Sequence, residues 1–125
     1  MGNLGSIKNM FKYIGVESKI ESDLDKIKNA SKILLPGVGS FDTAMKKINE
    51  SGLKEVLNEK ALKEQVPVLG ICLGMQLLTN SSEEGILDGL GWVDAKTMSF
   101  KSVIDKKYRI PHMGWNIVSE SNESK

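Results

Sequence analysis

Cysteine is almost missing from this 125-residue chain, which holds one, Cys72. An internal disulfide is excluded, and a reducing cytoplasm is the natural compartment for such a sequence. Histidine is equally scarce, with His112 alone. One cysteine and one histidine cannot build a zinc site of the usual sulfur and imidazole kind, so no metal is expected. Charge of one sign is missing too. Seventeen basic side chains face sixteen acidic ones, a net charge of +1. That balance gives no electrostatic footprint for nucleic acid or an anionic membrane. The longest apolar run, Val66 to Leu78, is broken by Pro67, Gly70, Gly74 and Gln76 and is too short to span a bilayer. No succession of basic, apolar and small residues marks a secretory signal. The opening "MGNLGS" fits the loose myristoylation pattern through Gly2 and Ser6. No polybasic stretch follows to supply a second membrane signal, so those glycines read as a loop.

What is present is an alternation of strand-like and helix-like segments, in a chain long enough to bury roughly two-thirds of its unfolded surface. Ile7, Met10, Phe11 and Ile14 recur at helical spacing from about Leu4, and Gly15 stops that helix. "VESKIE" reads as a short strand, and Lys32 to Leu35, "KILL", as a compact buried one ending at Pro36 and Gly37. Phe41, Ala44, Met45 and Ile48 make a second helical stripe, and Leu53, Val56, Leu57 and Ala61 a third. "VPVLGI" is another buried strand, followed by a helix carrying Met75, Gln76 and Leu78. Beyond Gly85 the pattern loosens into irregular strands and turns, with a strand-like "WNIV" and a polar tail. Strands alternating with helices predict an open parallel α/β sheet with helices on both faces, whose functional loops lie beyond the carboxyl ends of the strands.

Two loops fall there. "GICLG", Gly70 to Gly74, has the form of a nucleophile elbow with cysteine in place of serine. The glycines suit a sharp strand-to-helix turn where side chains would strike neighbouring backbone. Cys72 then stands at a helix N-terminus, which favours a thiolate, and the Leu73 amide can face a developing oxyanion. A buried structural cysteine is the plainer alternative. The second loop, "PGVGSFD", spaces two glycines as in a dinucleotide fingerprint, but Asp42 stands at the third glycine position. Such a loop of exposed amides could equally hold a carboxylate or an oxyanion, or be a simple turn. Gln76, one helical turn past Cys72, points to the same side as the thiol. Glu83 and Glu84 follow "TNSS" at the end of that helix and read as solvated charges. His112 sits in a turn, and nothing in the sequence brings it near Cys72.

"GNLGS", "LLPGVGSF", "GICLGMQLL", "SSEEG" and "PHMGWN" occur in this order along nearly the whole chain. In this the sequence resembles the class I glutamine amidotransferases, and within them most closely the glutaminase subunits of imidazole glycerol phosphate synthases of histidine biosynthesis. The resemblance implies a flavodoxin-like α/β fold over residues 1–125 as one domain, no cofactor, and a catalytic Cys72 that attacks the glutamine carboxamide to form a glutamyl thioester. The oxyanion would meet the Leu73 amide and an amide of the Val38 and Gly39 segment. Gly37, Gly39, Gln76 and Glu84 match positions lining the glutamine pocket, with Glu84 facing the substrate ammonium. Asn3 and the turn of Pro111, His112, Met113, Gly114, Trp115 and Asn116 match surfaces that face the synthase, a (β/α)8-barrel cyclase. Ammonia would pass into a tunnel in that partner, the two forming a cytoplasmic heterodimer.

Departures from the family pattern carry expectations as well. Family members open with a strand before "GNL". They also continue past "SESNESK" to a base histidine, its glutamate partner and a segment that grips the substrate. His112 does not occupy that histidine's position. The chain therefore reads as the middle of a glutaminase, incomplete at both ends, with the nucleophile but not its base, and inactive by itself. Three other readings stand beside this one. A paralogous subunit could feed ammonia to an enzyme amidating surface sugars. The two-glycine loop could serve a nucleotide-binding or small-anion-binding module. The chain could also be an inactive interaction partner.

Overall fold

The computed structural model describes residues 4–103, 105, 107–117 and 119. The elements run α1 (Leu4–Tyr13), α2 (Leu24–Lys28), β1 (Ile33–Gly37), α3 (Phe41–Glu50), α4 (Leu53–Asn58), β2 (Val68–Cys72), α5 (Leu73–Leu77), β3 (Thr79–Ser82), β4 (Val93–Thr97) and α6 (Phe100–Val103). Glu59–Lys63 continues α4 as a widened turn in which the Glu64 N–H reaches back to the carbonyl of Glu59 at 3.0 Å.

β1 and β2 pair in parallel, as the alternation predicts, with Ile33 opposite Val68 and Gly37 opposite Cys72. The segment between them, with α3 and α4, is long enough for the crossover a parallel pair needs, which is about a dozen residues or more. β2 and β3 are joined only by α5 and Leu78, too short a link for β3 to return beside β2. β3 instead pairs in parallel with β4, so the described strands form two parallel pairs.

The core lies on α3 and α5. Phe41, Met45 and Ile48 fall at i, i+4 and i+7 on one face of α3 and are buried with Leu73, Leu77 and Leu90. Each such side chain contributes roughly 1.5–3 kcal/mol relative to exposure. Lys60 is also buried, yet satisfied: its ammonium donates to the Lys28 carbonyl at 2.8 Å and to the carboxylate of Glu64, tying the end of α2 to the widened turn.

Several local expectations are corrected. "VESKIE" forms no strand. The Val16 N–H donates back to the Phe11 carbonyl at 2.8 Å, and the Glu21 carboxylate accepts from the N–H groups of Ser22 and Asp23. These local bonds turn the chain into α2, capped by Asp23, a helix the periodicity did not predict. The α1 stripe is where expected, but no α1 residue is buried, and Met10 and Ile14 are exposed. "TNSS" is strand β3 and does not extend the preceding helix. α6 was not expected either. Residues 115–117 of "WNIV" form no strand, and Val118 lies outside the described residues. No described helix is long and apolar enough to cross a membrane.

Candidate active site

β2 ends in Cys72 and α5 begins at Leu73, with no intervening loop. The turn is accommodated at one residue: Cys72 has φ 56° and ψ −120°. Positive φ is rare for a residue with a side chain, and this ψ lies outside the left-handed helical well. Such a conformation costs about 1–3 kcal/mol and is held by its surroundings. Here the surroundings are three glycines. A Cβ on Gly74 would lie 1.7 Å from the Leu35 carbonyl oxygen of β1. One on Gly70 would lie 2.7 Å from the Gly74 carbonyl oxygen, and one on Gly37 2.9 Å from the Gly74 nitrogen. The helix is thus folded down onto the ends of both strands, and the thiol is left exposed at the crest. Among the described residues, nothing hydrogen-bonds to the Cys72 side chain.

Parallel register puts Gly37 opposite Cys72, so Val38 and Gly39 leave the sheet at the same edge as the thiol. Both are exposed, and Gly39 has φ +103° with no atom within 4 Å of where a Cβ would be. Its glycine is required by conformation, not by space. Leu73 is buried and is the first residue of α5, where backbone N–H groups have no intrahelical acceptor.

One turn along α5, the Gln76 side chain is held at both ends. Its Nε2 donates to Glu84 Oε2 at 3.1 Å, and its Oε1 accepts from Ser82 Oγ at 2.9 Å. Glu84 is therefore not a free solvated charge. Neither is Glu83, whose carboxylate accepts from the N–H of Ser99, just before α6, at 2.8 Å and from the hydroxyl of Ser102 within α6. Those two bonds, the hydroxyl first, hold Glu83 below the usual carboxylate range, with Lys96 adding to the effect.

Asp42 is not a failed glycine of a cofactor loop. Its carboxylate accepts from the N–H of Ile86 at 2.9 Å and of Leu87 at 3.0 Å, clasping the chain just past Glu84 to the start of α3. Gly85 lies against that carboxylate, with room for no Cβ. The serine two residues before Glu84 and the aspartate opening α3 are the site residues that sequence reasoning missed. "SSE" carried a signal, since a serine hydroxyl commonly accepts from the N–H two residues on.

The "PHMGWN" turn stands apart. Pro111, His112, Met113, Gly114, Trp115 and Asn116 are all exposed, and Tyr108, Arg109, Pro111, His112 and Met113 line a shallow depression. Among the described residues no hydrogen bond or ion pair joins this turn to Cys72, Gln76 or Glu84. Asn3 lies outside the described residues. No group of three or more metal-ligating side chains occurs among the described residues.

A parallel βαβ unit with a strained cysteine between strand and helix is the framework of an α/β enzyme of the nucleophile-elbow type. The chain belongs to the class-I glutamine amidotransferases, whose family model matches residues 2–125. It is 55% identical over its full length to "Imidazole glycerol phosphate synthase subunit HisH 2" of Methanococcus maripaludis, covering 61% of that protein. It is 45% identical over 94% of its length to the HisH subunit of Bdellovibrio bacteriovorus, covering 58% of it. With the HisH subunit of Leptospira interrogans it shares 39% identity across the whole chain, covering 62% of that protein. The chain thus spans about three-fifths of the length of the curated relatives it matches.

Proposed function

We propose that residues 1–125 carry the nucleophile half of a single glutaminase domain that supplies ammonia to an imidazole glycerol phosphate synthase. The observation that carries this reading is the pairing of Gly37 with Cys72, whose φ of 56° lifts the thiol clear of both strands at the edge where Val38 and Gly39 depart. The names of the relatives supply the acceptor and favour it over a surface sugar.

In this mechanism the Cys72 thiolate adds to the side-chain carbonyl carbon of glutamine, forming a carbon–sulfur bond. The negative charge passes to the carbonyl oxygen, met by the N–H of Leu73 and an amide of the Val38 and Gly39 segment. Collapse of the adduct breaks the carbon–nitrogen bond, and the nitrogen leaves as ammonia once protonated. Water then cleaves the thioester to glutamate and returns the thiol. Gln76 and Glu84 hold the amino-acid end of the substrate, Glu84 opposite its ammonium, with Gly37 and Gly39 giving backbone contacts. The reaction needs no cofactor or metal. The turn of Pro111 to Asn116, together with Asn3, faces a (β/α)8-barrel cyclase in a cytoplasmic heterodimer. Trp115 is fully exposed, and aromatic side chains are enriched where proteins meet.

The test is a chimera in which this chain replaces the matching segment of the Methanococcus maripaludis relative, assayed with that organism's cyclase subunit. Glutamine-dependent product formation is expected, lost on Cys72→Ala while ammonia-dependent synthesis persists. Glutamine-dependent activity that survives Cys72→Ala would reject the reading.

A further inference from the structure

Residues 76, 82 and 84 form a closed triangle of hydrogen bonds. Ser82 Oγ donates to Gln76 Oε1 at 2.9 Å, the Glu84 N–H donates to Ser82 Oγ at 3.2 Å, and Gln76 Nε2 donates to Glu84 Oε2 at 3.1 Å. Burial separates the three. Ser82 is 3% exposed, whereas Gln76 is half-buried and Glu84 exposed. The hydroxyl cannot meet a ligand, but both groups it touches can.

A carboxamide is nearly symmetric in shape and opposite in hydrogen-bonding sense at its two ends. Reversing Gln76 would turn Oε1 toward the carboxylate of Glu84, acceptor against acceptor, and remove the hydroxyl's acceptor. The observed orientation satisfies every member, and Ser82 is the only one that touches the other two without being free to turn toward solvent. The same oxygen, by accepting the Glu84 N–H, sets where the backbone of Glu84 stands relative to α5. We infer that Ser82 is a positioning residue for glutamine recognition, fixing the orientation of the Gln76 amide and its spacing from the Glu84 carboxylate. The inference rests on the reading of Gln76 and Glu84 as groups that grip the substrate.

The lone cysteine gives the test a clean readout, because thiol alkylation of the full chain can only report Cys72. Two reagents are compared by intact mass. Iodoacetamide measures the thiol itself. The chloromethyl ketone analogue of L-glutamine measures recognition: the thiolate displaces chloride, one carbon–sulfur bond forming as one carbon–chlorine bond breaks. Wild type is expected to prefer the L over the D ketone. Ser82→Ala should lower the ratio of L-ketone to iodoacetamide rate constants about tenfold, the scale of a partly buried acceptor left without its donor. Ser82→Thr, which keeps a hydroxyl, should stay within about twofold of wild type. In a Gln76→Ala background, Ser82→Ala should lose most of its effect, since it acts through that amide. A wild-type L preference that Ser82→Ala leaves unchanged overturns this inference alone. A full tenfold loss on the Gln76→Ala background also overturns it, marking Ser82 as general scaffolding. No preference for L over D in wild type overturns the reading of the site, and this inference with it.

Discussion

Gly74 passes over Leu35 so closely that a Cβ at position 74 would stand 1.7 Å from the Leu35 carbonyl oxygen. That contact seats α5 on β1 and brings Cys72 to the sheet edge. The obstacle is backbone on both sides, so no side-chain rotation relieves it. Gly74→Ala is therefore expected to cost 4 kcal/mol or more, about the upper range for single substitutions, and to leave little folded protein. Gly15→Ala is the control, with φ +76° and open space around it, and should cost only about 1 kcal/mol. Urea denaturation of the two variants checks this, and similar losses for both would contradict the seating of α5.

Cys72 itself carries strain, which a glycine would not. Cys72→Gly is expected to be more stable than Cys72→Ala by about 1 kcal/mol, the relief at positive φ less the entropy of the added glycine. Thermal denaturation of the pair measures it. Equal stability would mean that the cysteine does not hold the φ of 56°.

Glu83 predicts a pH dependence at the far end of the site. Its carboxyl is held below its ordinary value of 4.5 by the Ser102 hydroxyl, then by the Ser99 N–H. A depressed carboxylate contributes stability that is present above the unfolded value and lost as pH falls through the folded one. Docking of α6 should thus weaken below about pH 4.5 and be indifferent between pH 6 and 8. Hydrogen exchange of residues 99–103 between pH 3 and 6, corrected for intrinsic rates, reads this directly. Glu83→Gln should flatten the dependence, and an unaltered profile would remove Glu83 as its source.

His112, the single histidine, is exposed and makes no bond to the Cys72 elbow. Among the described residues no base is hydrogen-bonded to the Cys72 thiol, and such a nucleophile needs a positioned base to activate it and to pass a proton to the departing ammonia. In a serine protease, loss of a triad member leaves about 10³–10⁴-fold acceleration over water. The 125-residue chain is accordingly expected to show no glutamine turnover above background, with or without a cyclase subunit. Turnover abolished by Cys72→Ala and also by His112→Ala would contradict this and make His112 the base.

The elbow was legible in the sequence because its causes are local. Gly70 and Gly74 flank Cys72 within one turn of chain, and apolar strands precede both loops, so the pairing of Gly37 with Cys72 follows from a parallel crossover. The carboxylate contacts were hidden, because they join residues far apart in sequence. Asp42 reaches the backbone of Ile86, and Glu83 reaches Ser99. Periodicity says nothing of such bonds. "VESKIE" misled for the opposite reason: it reads as a short strand, but the Glu21 and Asp23 carboxylates accept from nearby N–H groups and turn the chain first. The α1 stripe shows that helical spacing predicts a helix more securely than it predicts burial.

In the proposed reaction Cys72 forms a covalent bond to the side-chain carbonyl carbon of glutamine. Hydroxylamine traps that intermediate: its nitrogen attacks the thioester, expels the thiolate and leaves γ-glutamyl hydroxamate. The chimera with the Methanococcus maripaludis relative, given glutamine and hydroxylamine, is expected to yield the hydroxamate, and its Cys72→Ala variant none. Glutamate release without hydroxamate, or hydroxamate from the Cys72→Ala variant, would rule out a Cys72 thioester.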